Sequence, residues 1–192
     1  MPARNQPALD FLLTRRSRPA KLFTAPVPSR GELEEIITAA LRVPDHGKLE
    51  PWRLIVVEKP AFTRLAGLAE ARALALGGDA EKIAKGRGQY DLGQLAVVVI
   101  SSPQAAEKVP VAEQVLSAGA VCLGLVNAAT AAGWGACWLT GWPAHDPVFV
   151  AEAFGCAPHE TVAGIVHIAT PPADAPDRPR PDLARIVTWI NA

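Results

Sequence analysis

No charged residue occurs between Gln114 and His145, and this uncharged stretch constrains the fold more than any other feature of the chain. About 20 apolar residues suffice to cross a bilayer as a helix, so the stretch is long enough for a membrane span. Its composition argues against one, because small and polar residues outnumber Leu and Ile and five glycines interrupt it. We therefore predict no membrane span. We expect a central helix over residues 111 to about 132, enclosed by protein on all sides and followed by a loop and a strand.

The rest of the chain is a mixture of predicted helices and strands without an internal repeat. Ser29 and Glu32 form a capping-box pattern, and the apolar stripe after them predicts a helix that Pro44 stops. Helices are also predicted from Pro7 to near residues 15–17 and over residues 62–76, and an exposed polar stretch follows through residues 82–87. Strands are predicted at residues 53–58, 96–101, 138–139 and 162–169, with a final short element around residues 186–190. The first strand is so apolar that we expect both of its faces to be covered.

Length and charge narrow the class of protein. A chain of 192 residues is long enough for one well-buried domain and short for two, so we expect a single domain over residues 1–192. Lys plus Arg and Asp plus Glu both total 19, which leaves no net charge to hold nucleic acid or an acidic membrane surface. Cys122, Cys137 and Cys156 have neither CxxC nor metal-ligand spacing, and we expect reduced core residues. We find no signal-peptide pattern and expect a cytoplasmic protein.

Arg15, Arg16 and Ser17 follow the first predicted helix. Arginine pairs with phosphate through two parallel hydrogen bonds and a hydroxyl adds a third donor, so the triplet suits a phosphate monoester. The plainer explanation is that the arginines only complement the dipole at a helix C-terminus. The triplet alone does not separate the two explanations.

A second cluster lies in the loop over residues 42–52, between the second helix and the first strand. It contains Arg42, His46, Lys48 and Trp52, and two prolines restrict its backbone. Loops held by a rigid scaffold often carry binding residues. The alternative is a rigid connection in which His46 is only solvated and Trp52 packs in the core.

Three other functional classes lack their motifs. Gly133 and Gly135 have no third glycine at the right offset and follow a helix instead of a strand, which excludes a Rossmann dinucleotide site. The four histidines form no HxH or HxxxH pair, so a metal hydrolase has no support. Ser117 does not lie in a GxSxG elbow, so an acyl-transfer enzyme has no support either.

The order and spacing of three motifs resemble the nitroreductase superfamily, and most closely its small YdjA-like members. The motifs are the triplet at residues 15–17, the loop at residues 42–52 and the later run Gly135, Ala136, Cys137, Trp138, Leu139, Thr140 and Gly141. The resemblance covers nearly the whole chain. It implies an α+β fold with a central, mostly antiparallel sheet flanked by helices, and an intertwined homodimer with FMN sites at the subunit interface.

The resemblance also implies which residues bind FMN. Arg15, Arg16 and Ser17 would hold the phosphate and the pyrimidine edge of the ring. Arg42 and His46 would reach into the site, His46 from the partner subunit. Trp138, Leu139 and Thr140 would line the same site. A basic residue near the C-terminus would contact the phosphate, and of Arg178 and Arg180 we favour Arg180. No side chain is expected to act as a nucleophile.

The implied activity is a ping-pong hydride transfer from NAD(P)H through FMN to a small-molecule acceptor such as a nitroaromatic or a quinone. A non-catalytic FMN-binding protein for storage, sensing or partner recognition is the alternative. The chain lacks the helical insertion that shapes the substrate pocket of larger nitroreductases, so the resemblance does not specify the acceptor.

Overall fold

The computed structural model describes residues 2–172 and 177–191. The helices of this part are α1 (Gln6–Thr14), α2 (Arg30–Ala40), α3 (Lys59–Ala75), α4 (Ala80–Asp91), α5 (Val111–Ala131), α6 (Pro147–Phe154) and α7 (Leu183–Ile186). The strands are β1 (Trp52–Glu58), β2 (Leu95–Ser101), β3 (Gly135–Leu139) and β4 (Thr161–Ala169). Short 3₁₀ turns occur at Ala20–Leu22, His46–Lys48 and Trp142–His145.

The four strands form one sheet in the order β1-β2-β4-β3, and all neighbouring strands are antiparallel. Helices cover both faces, which confirms the expected α+β fold with a central antiparallel sheet. Every residue of β2 is buried. Because successive side chains of a strand point to opposite faces, the continuous apolar run of β2 supplies two cores at once.

Two hydrophobic cores lie on the two sides of the sheet. On one side α3, α4 and α6 pack on Val98, Ile100 and Ile165. On the other side α2 and α5 pack on Val97, Val99 and neighbouring residues of β4. The capping box at the start of α2 is formed as predicted, with Glu32 accepting from the Ser29 amide at 2.8 Å.

The central helix α5 lies where the sequence predicts it. It packs so closely on α2 that a Cβ added at Gly124 would come within 2.5 Å of the Ala40 carbonyl oxygen. By length and composition α5 could cross a membrane, yet it buries Val121 and Leu125 completely against the protein interior. The expectation that protein encloses it on all sides is wrong for the single chain, since Leu116 is 73% exposed.

Three further expectations need correction. β1 is covered on both faces over only part of its length: Ile55 and Val57 pack on one core and Leu54 on the other, but Val56 is 41% exposed. The polar stretch through residues 82–87 is part of α4, and Gly86 and Tyr90 bury one side of it. The last element is α7, which ends at residue 186 instead of covering residues 186–190.

The three cysteines are free, as expected, and burial raises the pKa of Cys122 to about 12.

Candidate functional site

The C-terminal end of α1 carries the predicted phosphate-binding triplet. The Asn5 side chain accepts from the Ala8 amide at 3.2 Å and starts the helix, which Arg15 ends in an extended conformation. Arg15 and Arg16 are half-buried and Ser17 is exposed. No residue of α1 is buried within the single chain.

The C-terminal tail, residues 177–191, lies over this end of α1. Arg180 donates from Nη2 to the Leu13 carbonyl oxygen, and Arg16 forms an ion pair through Nη1 with the Asp177 carboxylate. Arg180 is therefore beside the triplet, where the resemblance implies it. Arg178 is exposed, and its side chain makes no hydrogen bond or ion pair within the described chain. The sequence did not predict that the Asp177 carboxylate pairs with Arg16. The Asp177 side chain is itself 96% exposed.

The segment after the triplet adds two more cations. The Arg18 amide donates to the Ala136 carbonyl oxygen at 3.3 Å, which joins this segment to β3. Its Nη1 is buried and has no hydrogen-bond partner in the part of the chain that the structure describes. Lys21 follows in the 3₁₀ turn, so residues 15–21 contain four cations: Arg15, Arg16, Arg18 and Lys21. Such a cluster favours an anionic ligand.

A cavity of about 240 Å³ lies between this segment, α4 and β3. Its lining residues are Pro19, Ala20, Lys21, Gly88, Gln89, Leu92, Cys137, Leu139 and His167. His167 is only 2% exposed, and its Nε2, like Nε2 of Gln89, is buried without a partner among the described residues. Burial lowers the pKa of His167 to about 4, so the ring is neutral near pH 7.

These unpaired groups make the cavity chemically selective. Leaving a buried donor or acceptor without a partner costs about 1–3 kcal/mol, so a ligand or water that pairs with Gln89 and His167 is favoured. The cavity is smaller than the roughly 300–1,000 Å³ of typical ligand pockets. This cavity alone can therefore enclose the edge of a planar ligand but not a whole nucleotide.

The predicted residues of β3 lie on two sides of that strand. Leu139 lines the cavity, whereas Trp138 lies on the α5 side, where its Nε1 donates to the Ala163 carbonyl oxygen at 3.3 Å. A Cβ added at Gly164 would come within 2.0 Å of that Nε1, so the indole fits only on a glycine. Thr140 is exposed just beyond the end of β3.

The loop that carries His46 is anchored to α5. Nδ1 of His46 lies 2.8 Å from Oε2 of Glu113. Ser117 donates to the Pro44 carbonyl oxygen at 2.7 Å and accepts from Nε1 of Trp52 at 3.1 Å. Pro44, His46, Glu113 and Ser117 line a second cavity of about 260 Å³, with Leu116 and Ala120 completing its wall. Trp52 thus serves the structure of this loop.

The two predicted clusters do not meet within one chain. In the described ranges, no hydrogen bond or ion pair joins His46 or the exposed Arg42 to the triplet at residues 15–17. The structure brings residues 15–17, Leu139 and Arg180 to one side and His46 to another. The same ranges contain no group of three potential metal ligands.

Sequence reasoning missed four residues of these sites for identifiable reasons. His167 is the only titratable residue in the apolar run at residues 162–169, and that isolation was a usable signal. Glu113 is the last charged residue before the uncharged stretch, and that position was a weaker signal. Arg18 and Gln89 stand in polar surroundings and gave no signal.

Comparison with known proteins decides the family. A model of the Nitroreductase family matches residues 12–170. The chain belongs to the Nitroreductase family. It is 34% identical over 184 residues to YdjA of Escherichia coli (strain K12), which carries the provisional name NAD(P)H nitroreductase, with 95% of this chain and 99% of that protein covered. A Haemophilus influenzae protein with the same provisional name is 38% identical over 166 residues, covering 85% and 88% of the two chains.

Solved structures of nitroreductases have the same fold. A nitroreductase-like family protein from Bacillus cereus superposes with a TM-score of 0.77 at 21% identity, over 100% of both chains. A nitroreductase with bound FMN from Bacteroides fragilis superposes with a TM-score of 0.74 at 19% identity, over 98% of this chain and 100% of that one. The Nitroreductase family match contains all three motifs but ends before Arg178 and Arg180.

Proposed function

We propose that this nitroreductase-family chain is an FMN-dependent NAD(P)H oxidoreductase that reduces nitroaromatic, quinone or related acceptors. The observation that supports it most directly is the cation cluster of residues 15–21 beside a cavity with unpaired polar groups. A family relative named for NAD(P)H and a structural neighbour with bound FMN point to the same cofactors. We further propose one domain over residues 1–192 and a cytoplasmic location.

The residues present fit FMN in charge and in hydrogen bonding. Arg15, Arg16 and Ser17, with Arg180 beside them, would hold the phosphate through charge-assisted hydrogen bonds. The pyrimidine edge of a flavin alternates carbonyl acceptors with an N–H donor. Gln89 can donate to such an edge, and the neutral ring of His167 can donate or accept according to its tautomer.

When bound, FMN would supply the redox chemistry by taking up a hydride from NAD(P)H and passing electrons to the acceptor. The guanidinium group of Arg18, whose Nη1 is buried without a partner among the described residues, would stabilise negative charge at the pyrimidine end of the site, and Leu139 would exclude water from one side of it. Thr140 would border the site at the end of β3, whereas Trp138 packs on the opposite face of that strand, over Gly164. In our assignment no side chain acts as a nucleophile.

We also propose that the active form is an intertwined homodimer. Three segments of the single chain expose apolar side chains that a second copy would cover: Leu12 and Leu13 of α1, Leu116 of α5, and Trp189 and Ile190 of the tail, the last two 86% and 88% exposed. Neighbouring apolar side chains that are exposed together, as in the pairs of α1 and of the tail, are typical of protein interfaces. The dimer would let Arg42 and His46 of one subunit reach the triplet of the other.

The test is an FMN titration of the purified protein followed by flavin fluorescence. Wild-type protein should bind FMN, and Arg16→Ala should weaken binding by about tenfold or more, because it removes a charge-assisted hydrogen bond. Arg30→Ala is a matched control, since Arg30 is 92% exposed on α2. Equal affinities of the Arg16 and Arg30 variants would remove Arg16 from the site, and failure of wild-type protein to bind FMN would end the proposal.

Turnover is tested on the FMN-loaded protein without oxygen. NADPH or NADH should bleach the flavin absorbance, and a nitroaromatic or a quinone should restore it. A protein that binds FMN but reacts with neither nicotinamide would contradict the reductase and support the non-catalytic alternative.

A further inference from the structure

We propose that Glu113 is a positioning residue that fixes the tautomer of His46, so that Nε2 of His46 is offered as a hydrogen-bond acceptor. The inference about the ligand rests on the proposed function, whereas the tautomer itself does not. The carboxylate Oε2 of Glu113 lies 2.8 Å from Nδ1 of His46. An ionised carboxylate can only accept, so Nδ1 must carry the proton, and in the neutral form of the ring Nε2 then carries none.

The hydrogen bond belongs to an anchored loop. Glu113 and Ser117 are four residues apart on α5 and therefore lie on the same face of the helix. Ser117, which is 6% exposed, holds the Pro44 carbonyl oxygen at 2.7 Å, two residues before His46. The Asp45 carboxylate accepts from the amides of residues 49 and 50 at 3.1 and 2.9 Å, which fixes the other side of the loop. His46 is thus held over Glu113 by neighbours on both sides.

Stability does not explain the pair. The side chains of His46 and Glu113 are 57% and 50% exposed, and a polar contact between two such exposed side chains contributes little to folding. A carboxylate that holds one ring nitrogen of a histidine is, however, a common means of directing the other nitrogen at a ligand. The pair lines the cavity on the exposed side of α5, beside Leu116, where we place the partner subunit.

The fixed tautomer defines the chemistry that His46 can recognise. An unprotonated Nε2 accepts from an O–H or an N–H group and cannot donate to a phosphate. On FMN the groups that qualify are a hydroxyl of the ribityl chain and the ring N–H. We therefore assign His46 to a donor group of the ligand, and leave the phosphate to the arginines of the partner subunit.

The tautomer is tested by two-bond ¹H–¹⁵N NMR of histidine-labelled protein without FMN. Wild-type His46 should show the Nδ1–H form. In Glu113→Ala it should shift to the Nε2–H form that is favoured in water. Glu107→Ala, which removes an exposed carboxylate from the loop before α5, should leave the spectrum unchanged. A wild-type ring that is mainly Nε2–H, or a Glu113→Ala spectrum identical to wild type, would overturn the proposal.

A double-mutant cycle on FMN affinity tests the link to the ligand. Glu113→Ala should weaken FMN binding by about fivefold, the effect expected of one hydrogen bond. It should have no further effect in a His46→Ala background, because the two residues act through one contact. Effects that simply add, or an unchanged affinity in Glu113→Ala, would refute the positioning role while FMN binding by wild type stands. Absence of FMN binding by wild type would instead refute the proposed function, and the NMR result would remain.

Discussion

The burial of His167 makes folding stability depend on pH in a defined window. Burial lowers the pKa of His167 from its ordinary value of 6.5 to about 4, so the unfolded chain binds a proton at a pH where the folded protein does not. The contribution of a neutral His167 is therefore complete above pH 6.5 and is lost as the pH falls toward 4. Complete loss corresponds to about 3 kcal/mol, and about 2.5 kcal/mol of it is lost by pH 4.5.

The assay is urea unfolding of FMN-free protein between pH 8 and pH 4.5. From pH 8 to pH 4.5 the free energy of unfolding of wild type should fall by about 2.5 kcal/mol more than that of His167→Gln, which cannot titrate. Hydrogen bonds donated by Arg53 lower the pKa of Glu160 to about 2. The effect of Glu160 on stability is the same in wild type and in His167→Gln, so it cancels in the difference between them. His159→Gln is the control, because His159 is exposed before β4.

Parallel pH profiles for wild type and His167→Gln would refute the reasoning. If His167→Gln does not fold, an NMR titration of the wild-type imidazole replaces it. A His167 ring that titrates near pH 6.5 would contradict the structure, since it would mean that the ring is solvated or paired.

Three smaller predictions follow from single contacts. Gly164→Ala would push the Trp138 indole off β4 and should lower the free energy of unfolding by about 1–3 kcal/mol in the same urea experiment. The control is Gly31→Ala in α2, whose added Cβ meets nothing within 4 Å and which should be neutral or stabilising. Glu160→Gln should lower the free energy of unfolding at pH 7 by about 1–3 kcal/mol. The difference in free energy of unfolding from wild type should shrink as the pH falls from 4.5 toward 2, where wild-type Glu160 also loses its charge. A difference that stays constant would contradict the ion pair with Arg53. Asp177→Asn frees Arg16 from a competing carboxylate and should tighten FMN binding by up to about fivefold in the fluorescence titration; weaker binding would show that Asp177 supports the site.

Much of the fold could be predicted because its strongest signals are local. The uncharged stretch predicts α5, and the apolar run over residues 96–101 predicts the central strand β2. The capping box predicts the start of α2. The incomplete cover of β1 could not be predicted, because it depends on how helices from other parts of the chain pack on the two faces of the sheet. The helix α4 was missed because its buried side depends on only two residues, Gly86 and Tyr90.

The candidate site was predictable where charge and motif coincide. The triplet at residues 15–17 and Arg180 are brought together by the tail contact on Leu13. The buried polar atoms of His167, Gln89 and Arg18 that lack hydrogen-bond partners among the described residues could not be predicted, since burial and pairing are properties of the folded chain. The single domain and the location of the protein remain predictions.

In the proposed dimer, FMN is held jointly by the arginines of one subunit and by His46 of the other. Mixing Arg16→Ala and His46→Ala proteins, each of which should bind FMN weakly alone, and titrating FMN after the subunits have exchanged tests this shared site. Half of the dimers should then be mixed, each with one intact site, so about a quarter of all sites should bind with wild-type affinity. If the mixture binds FMN no better than the two variants measured separately, the site does not combine residues of two chains.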